Sequence, residues 1–169
     1  MKIYRENENA QIPEFATEGS ACFDLRACLD GVEKVVTYNP HNKKIEVPVR
    51  VNNDTAQFQI PPMYRCLIPT GLIFDIPKNC VMKVYARSSF ALKYGLNLAN
   101  SVAVIDSDYV DQTYVMLNNM TDTPVTIKSG ERVAQAMLEK TFSYELSETK
   151  RKPKQKTDRD GGLGSTGKE

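Results

Sequence analysis

Residues 66–77 read Cys-Leu-Ile-Pro-Thr-Gly-Leu-Ile-Phe-Asp-Ile-Pro. Two apolar runs flank a Pro-Thr-Gly sequence, which predicts a strand, a turn and a second strand. Towards the N-terminus, polar and apolar residues alternate at period two in Lys44–Val51 and again in Ala56–Ile60, as in half-buried strands. Further strand candidates cover residues 80–86, 112–117, 125–127 and 132–139. About eight short strands with no alternating helices favour an all-β sandwich, barrel or jelly roll.

One short helix interrupts this pattern at Ser88–Gly95. Ser88 is a residue type that caps helix N-termini, and Gly95 suits the position just after a helix. After Phe142 the apolar pattern stops, and a charged, proline-containing segment leads to a glycine-rich end. We therefore predict a β domain over residues 1–142, followed by a linker and C-terminal arm over residues 143–169.

Length and composition limit the class of protein. The chain has 169 residues, of which 41% are hydrophobic and 25% charged, as in a single globular domain. No apolar run approaches the ~18 residues of a transmembrane helix, and the first residues are too charged for a secretory signal. We expect a cytoplasmic protein, of a bacterium or of the host cell if the source is a phage or another virus, with no membrane partner.

The chain offers few residues for metal or histidine chemistry. Its four cysteines show no Cys-x-x-Cys spacing, so they are expected to be free thiols, and His41 is the single histidine. One histidine rules out a multi-histidine metal site and disfavours a Ser-His-Asp triad. Carboxylates and basic side chains must therefore carry most of any chemistry.

Three segments are candidates for that chemistry. Residues 86–91, Ala-Arg-Ser-Ser-Phe-Ala, combine a helix start with Arg87 and two hydroxyls, which together could bind phosphate. The same residues could equally cap a helix and form a surface ion pair. Asn100–Tyr109 brings two apolar arms to an acidic turn, and residues 102–105 are expected to be buried, so Asp106 at the mouth of a core could act as a general base. If the hairpin pivots on Ser107, Asn100 and Tyr114 lie opposite each other, and a small planar group could lie between the arms. Asp-Ser-Asp is also a common turn sequence.

The third segment is the C-terminal arm. Residues 162–168 nearly match the phosphate-binding loop of nucleotide-hydrolysing enzymes, but Glu169 replaces the required hydroxyl and no strand precedes the loop. That class of protein is rejected. The arm could still wrap phosphates with its N–H groups, Arg159 and the hydroxyls of Ser165 and Thr166. Residues 150–169 carry seven Lys or Arg and three Asp or Glu, so the arm could also bind nucleic acid or be merely solvated.

Two more segments complete a larger pattern: Ser-Ala-Cys-Phe-Asp-Leu-Arg-Ala at residues 20–27 and Gly-Glu-Arg-Val-Ala-Gln at residues 130–135. Together with Arg87–Ser89, Asn100–Tyr109 and the glycine-rich end, they resemble, in order, the five motifs of the trimeric dUTP pyrophosphatase (dUTPase) family. The resemblance covers nearly the whole chain. It implies a distorted β jelly roll, a dUTPase-like β-clip, assembled as a homotrimer with a swapped C-terminal arm and with active sites built from all three subunits.

The resemblance also implies a reaction and its residues. Asp106 would activate the water that attacks the α-phosphorus of dUTP, giving dUMP and pyrophosphate in nucleotide-pool sanitation and dTMP precursor supply. Mg²⁺ would bridge the triphosphate, with Asp24 reaching it through water. The residues implied to bind substrate are Arg87, Ser88, Ser89 and Gln135 at the phosphates, Asn100, Val104, Ile105, Tyr109 and Tyr114 at the nucleoside, and Arg159, Leu163, Gly164, Ser165 and Thr166 in the arm.

The chain departs from the family pattern at several positions. Leu163 stands where a phenylalanine usually stacks on uracil, and it would cover the base without the aromatic contribution. Ala103 and Asp111 replace common glycines, and Arg159 lies one residue nearer to position 163 than is usual. The stretch from about residue 29 to residue 59 is longer than the usual link and predicts an inserted β-hairpin.

Three alternatives remain open. dCTP deaminase shares the fold and an Arg-Ser-Ser segment, but its glutamate base is replaced here by Met116-Leu117. A non-catalytic binding protein could use the same scaffold, although Asp24, Arg87, Asp106 and Gln135 are all retained. A nucleic-acid binder would rest on the basic arm alone, so nucleic acid is not an expected partner.

Overall fold

The computed structural model describes residues 1–158 as strands joined by turns, with one helix. The strands are β1 (Lys2–Arg5), β2 (Phe23–Arg26), β3 (Lys34–Tyr38), β4 (Lys44–Pro48), β5 (Arg50–Asn52), β6 (Thr55–Ile60), β7 (Arg65–Pro69), β8 (Leu72–Asp75), β9 (Cys80–Tyr85), β10 (Leu96–Leu98), β11 (Ala103–Ile105), β12 (Tyr114–Asn119), β13 (Val125–Lys128) and β14 (Arg132–Lys140). The helix is α1 (Ser88–Tyr94). The predicted all-β class is confirmed.

The strands form four antiparallel sheets. Their orders are β1-β8, β10-β12-β7-β3-β4, β11-β9-β14-β2 and β13-β6-β5. In β6, β7 and β14, buried and accessible residues largely alternate, because successive side chains of a strand point to opposite faces. The buried faces meet in one core, in which Leu25, Ile60, Ile68 and Met82 are fully buried.

The predicted strand, turn and strand at residues 66–77 are β7 and β8, joined at Gly71. Gly71 has φ +66°, in the left-handed region that favours glycine. A Cβ there would lie 2.8 Å from the Cβ of Ala10 and 3.0 Å from Cys28 Sγ. The Gly71 carbonyl also accepts the N–H groups of Glu6 and Asn7, so the turn fixes the N-terminal segment against the core.

The stretch from residue 29 to residue 59 contains two hairpins, not the single one predicted. β3 and β4 form the first and join the five-stranded sheet through β7, whereas β5 and β6 form the second and pair with β13. The predicted strand Lys44–Val51 is divided near Pro48: the Val49 N–H still bonds to the Glu33 carbonyl in the register of β3 and β4, and Arg50–Asn52 pairs with β6. The chain then crosses to the other sheet, which period-two alternation could not show.

Helix α1 has the predicted bounds but a different N-cap. Arg87 occupies the cap position with extended dihedrals, and no side chain caps the helix. The prediction that Ser88 is the N-cap is therefore wrong by one residue. The reason is that the Arg87 carbonyl already accepts the N–H groups of Phe90 and Ala91. At the other end Gly95 has φ +61° and closes the helix as expected.

The last strand, β14, ends at Lys140, and residues 141–158 contain neither strand nor helix. Within residues 1–158, no helix combines the length and apolar character needed to cross a membrane.

Candidate active site

A first cluster of polar side chains lies where β2, β14 and β9 run side by side. Asp24 on β2 is opposite Gln135 on β14, and Gln135 is opposite Tyr85 on β9. Arg87 follows two residues after Tyr85. The sheet thus brings together Asp24, Arg87 and Gln135, three residues predicted from separate motifs. We call Asp24, Arg87, Arg132 and Gln135 the phosphate cluster.

Ion pairs fix the geometry of the phosphate cluster. Arg87 Nε lies 3.0 Å from Asp24 Oδ1, and Arg132 Nη1 lies 3.1 Å from Asp24 Oδ2. Arg87 Nη1 also donates to the carbonyl of Arg132, at 3.1 Å. The cluster carries two guanidinium groups against one carboxylate and therefore retains a positive charge that can attract an anion.

Gln135 and the two serines border this charge. Gln135 Nε2 donates to the Ala86 carbonyl at 3.1 Å, which turns its amide towards the segment that carries Arg87. Ser88 is exposed and Ser89 half-buried, at the first two positions of α1. N–H groups in the first turn of a helix have no partner within the helix. Hydroxyls, amide groups and guanidinium groups thus converge on one side of the cluster.

A second site is a pocket of about 380 Å³ beside β11. Its wall includes six of the predicted residues: Asn100, Val104, Ile105, Asp106, Tyr109 and Tyr114. Leu67, Ala103, Thr113 and Met116 supply the rest of the lining. One carboxylate and two tyrosines on a largely apolar wall suit a nucleoside-sized ligand. We call it the nucleoside pocket.

Two hydrogen bonds hold Tyr109 in the nucleoside pocket. Its N–H donates to the Asp106 carbonyl at 3.2 Å, and its hydroxyl donates to the Gln112 carbonyl at 2.9 Å. Burial and the neighbouring charge of Asp111 raise the pKa of Tyr109. Its hydroxyl therefore stays protonated at neutral pH, and its ring is presented to the pocket.

The predicted hairpin around Asp106 is open, not closed. The last hydrogen bond between its arms in the described chain joins the Ala99 N–H to the Met116 carbonyl. Ser101 then turns with φ +62°, and β11 leaves to pair with β9. Asn100 therefore does not lie opposite Tyr114 as predicted, although both line the pocket between the separated arms.

The apolar residues before Asp106 are buried only in part. Val102 is 38% exposed and Val104 is 59% exposed, which contradicts their expected burial, whereas Ala103 and Ile105 are half-buried and pack against the core. Among residues 1–158, β11 is an edge strand that pairs only on its β9 side, and Val104 points away from the core. The Asp106 side chain is exposed and makes no hydrogen bond or ion pair with residues 1–158 that would occupy it.

The two sites lie at opposite ends of β9. Asp106 follows Ile105, which is opposite Met82, whereas Arg87 lies five residues beyond Met82 in the other direction. At about 3.3 Å per residue, six residues along a strand correspond to roughly 20 Å. The carboxylate that could activate water is therefore distant from the phosphate cluster of its own chain.

The remaining predictions concern the C-terminal arm, a metal site and the cysteines. Arg159, Leu163, Gly164, Ser165 and Thr166 lie outside the described residues. Residues 1–158 contain no group of three or more His, Cys, Asp or Glu side chains that could hold a metal by themselves. All four cysteines are free thiols, as expected.

Arg132 belongs to the motif at residues 130–135, but the motif does not predict it as a site residue. Period two would place it on the same face as Ala134 and Ala136, which are buried. A β-bulge between Arg132 and Ala134 shifts the register, and this shift lets Arg132 reach Asp24, the register partner of Gln135. No sequence signal marks that bulge.

This chain is similar to known proteins in sequence and in fold. The family model for dUTPase matches residues 53–167. The deoxyuridine 5'-triphosphate nucleotidohydrolase of Treponema denticola is 36% identical, over 99% of both chains. The dUTPase crystal structure from Streptococcus mutans has a TM-score of 0.62 and 26% identity, over 83% of this chain and 92% of that one.

A further solved structure resembles the fold over nearly its full length. A variant of the Staphylococcus bacteriophage 80alpha dUTPase with dUpNHpp has a TM-score of 0.74, over 98% of this chain and 97% of that one. Because the two sequences are only 16% identical, this likeness shows the fold alone. A jelly-roll-like β fold is thus common to this chain and to its structural neighbours.

Proposed function

Since this chain belongs to the dUTPase family of nucleotidohydrolases, we propose that it hydrolyses dUTP to dUMP and pyrophosphate. One observation carries the proposal: residues from four motifs assemble into a positively charged phosphate cluster and a nucleoside pocket. These are the two kinds of surface that a nucleoside triphosphate requires. The activity belongs to the cytoplasm, where it would remove dUTP from the nucleotide pool and supply the precursor of dTMP.

The phosphate cluster would bind the triphosphate. In the free chain Arg87 Nε and Nη1 bond to Asp24 and to the Arg132 carbonyl. On binding, Arg87 would exchange Asp24 for phosphate oxygens at Nε, beside Nη2. Gln135 and the hydroxyls of Ser88 and Ser89 would complete the set of donors. Because charge spreads over the phosphate oxygens in the transition state, fixed donors at these positions lower the barrier by electrostatic stabilisation.

The cluster fits Mg²⁺ that is bound mainly through substrate. In phosphate-transferring sites Mg²⁺ keeps several waters and uses one or two carboxylates besides the phosphates. Asp24 is the one carboxylate of the phosphate cluster, and we propose that it contacts the ion through water. When bound, the ion would neutralise triphosphate charge and orient the phosphates.

Asp106 would be the general base. Its exposed carboxylate takes a proton from water, and the water oxygen forms a bond to the α-phosphorus. The bond between that phosphorus and the bridging oxygen breaks, and pyrophosphate leaves with the electron pair. General-base catalysis of this kind contributes about 10²- to 10⁴-fold.

The nucleoside pocket would select deoxyuridine. We propose that backbone groups around Asn100, with Val104 and Ile105, contact the uracil edge. The ring of Tyr109 packs against deoxyribose and leaves no room for a 2'-hydroxyl, and Tyr114 closes the opposite wall. Since the Tyr109 hydroxyl is already engaged by Gln112, its ring acts as a fixed steric boundary.

A homotrimer would complete the site. Because roughly 20 Å along β9 separates Asp106 from the phosphate cluster of its own chain, we propose that Asp106 of one subunit meets the phosphate cluster of another. Phe142, Tyr144 and Leu146 are 88%, 79% and 90% exposed and alternate with polar residues, as in a strand awaiting a partner. We propose that residues 1–142 form the β domain and that residues 143–169 cross to another subunit.

The arm would close the site. We propose that Arg159, Ser165 and Thr166, with the Gly164 backbone, contact the phosphates, and that Leu163 covers the base. The third subunit would supply these groups, so each site would use all three chains.

The test is pyrophosphate release from dUTP, dCTP, dTTP and UTP, each with Mg²⁺ and with EDTA. The proposal expects selective, Mg²⁺-dependent release from dUTP. Ammonia released from dCTP would indicate deamination instead. A folded oligomer that releases nothing from any of the four nucleotides would contradict the proposal.

A further inference from the structure

Residue 132 contacts both charged partners in the phosphate cluster. Its guanidinium Nη1 lies 3.1 Å from Asp24 Oδ2, and its backbone carbonyl accepts Arg87 Nη1 at 3.1 Å. Arg87 in turn holds the other carboxylate oxygen of Asp24, at 3.0 Å. The Asp24 carboxylate is thus shared, with one oxygen on each arginine.

The two arginines differ in how accessible they are. The side chains of Asp24 and Arg87 are 19% and 20% exposed, whereas that of Arg132 is 44% exposed. Arg132 lies on the wall of an adjoining cavity of about 550 Å³, together with Arg5, Arg26 and Asp24. Arg132 is therefore the outer partner of the carboxylate, and Arg87 is the inner one, beside Ser88 and Ser89.

This geometry raises a difficulty for the reaction proposed above. When a triphosphate arrives, Arg87 turns donors to the phosphates, and Asp24 loses its partner on Oδ1. An aspartate side chain on a strand can change rotamer unless another group holds it. The β-bulge between Arg132 and Ala134 supplies that second group, since it lets Arg132 reach Asp24.

We propose that Arg132 is a positioning residue that keeps Asp24 in place while Arg87 exchanges it for phosphate. Arg132 holds Oδ2 throughout, and Oδ1 becomes free for water on the magnesium ion. The backbone carbonyl of the same residue keeps Arg87 in register. The inference rests on the proposed function and adds a residue to it that acts through Asp24 and not on the substrate.

The test compares Arg132→Gln with Arg26→Gln in the full-length chain. Arg26 is the register partner of Arg132 and lines the same cavity, but its Nη1 donates to the Gly130 carbonyl at 2.7 Å and not to Asp24. Both variants remove one positive charge from the same wall. Calorimetry measures binding of non-hydrolysable α,β-imido-dUTP with Mg²⁺ and with EDTA, and binding of dUMP.

We expect Arg132→Gln to reduce the Mg²⁺-dependent gain in analogue affinity by about 10- to 100-fold, as for other residues that orient a metal-linked carboxylate. Binding of dUMP in EDTA should fall no further for Arg132→Gln than for Arg26→Gln, because each variant removes one charge from the same wall. The melting temperature should stay at its wild-type value. Arg132→Lys should restore part of the gain, because it keeps the charge but loses the planar fork. Arg26→Gln should keep the full gain.

Three results would overturn the inference. One is a Mg²⁺-dependent gain for Arg132→Gln equal to that of Arg26→Gln. Another is an equal loss of affinity with Mg²⁺ and with EDTA, which would mean general charge attraction. The third is a loss explained by a lower melting temperature of both Arg132 variants. Failure of the proposed function is separate, since it would appear as wild-type protein that does not hydrolyse dUTP.

Discussion

Mixing two inactive variants should restore activity if the site is shared between chains. Asp106→Asn removes the base and leaves the phosphate cluster intact, whereas Arg87→Gln disables the cluster and leaves the nucleoside pocket intact. Each variant by itself should lose about 10²-fold or more in turnover. Asp106 makes no side-chain contact with residues 1–158 that the substitution would break, so its folding should not suffer.

The expected recovery follows from the positions of the two residues on β9. In a closed ring each site takes Arg87 from one chain and Asp106 from the next. In a random equal mixture a site is complete when its first chain is Asp106→Asn and its second is Arg87→Gln. Each condition holds for half of the chains, so about one-quarter of the sites, and of wild-type turnover, should return.

The assay is pyrophosphate release after the two variants are unfolded and refolded together. The control replaces Arg87→Gln with the Arg87→Gln, Asp106→Asn double variant, which has the same assembly but no intact base, and it should restore nothing. If the mixture gives no more turnover than the two variants measured separately, each chain forms its own site. That result would contradict the inference that Asp106 is too far along β9 from the phosphate cluster of its own chain.

Three further changes have defined outcomes. Gly95→Ala should lower the free energy of unfolding in urea by about 1–3 kcal/mol, because φ is +61° and the new Cβ would lie 2.4 Å from Thr121 Cγ2; an unchanged value would contradict the strain. Glu139→Gln should lower the melting temperature at pH 7, and the difference in melting temperature from wild type should close as the pH falls below about 4. The hydrogen bond from Lys83 lowers the pKa of Glu139 in the folded protein, so the stabilisation exists above the ordinary pKa of glutamate and is lost as the pH falls through the pKa of the folded state. A difference that stays constant down to pH 2 would refute this. Truncation after Lys156 should leave the melting temperature unchanged but reduce dUTP turnover by about 10²-fold, and full activity would exclude a role for the arm.

Sequence patterns predicted the elements well where one face of a strand is buried. Residues 66–77 contain two apolar runs on either side of a glycine turn, and they form the expected strands. The pattern at Lys44–Val51 was misleading because Pro48 lies at a crossing between two sheets, and both halves keep the same alternation. Periodicity reports which face is buried, but it does not report which sheet a strand joins.

The site residues were predicted from sequence motifs and not from hydrophobic periodicity. The two features that the motifs did not predict have a common cause. Arg132 was missed because a single extra residue in β14 reverses its face. The open hairpin at Asn100–Tyr109 was missed because β11 pairs with β9 instead of with its own neighbour in sequence. Both are changes of register or partner, which depend on strands far away in the chain.

The path of β11 also links assembly to chemistry. By pairing with β9 it carries Asp106 to one end of a strand whose other end carries Arg87, and it leaves Val104 exposed on the way. An apolar edge strand in water is unfavourable and invites pairing or packing with another chain. If another subunit covers β11, the contact that buries Val104 lies next to the carboxylate that the other subunit needs. In that arrangement a dissociated chain would lose buried apolar surface and a complete site together, and the oligomer would be the smallest active unit.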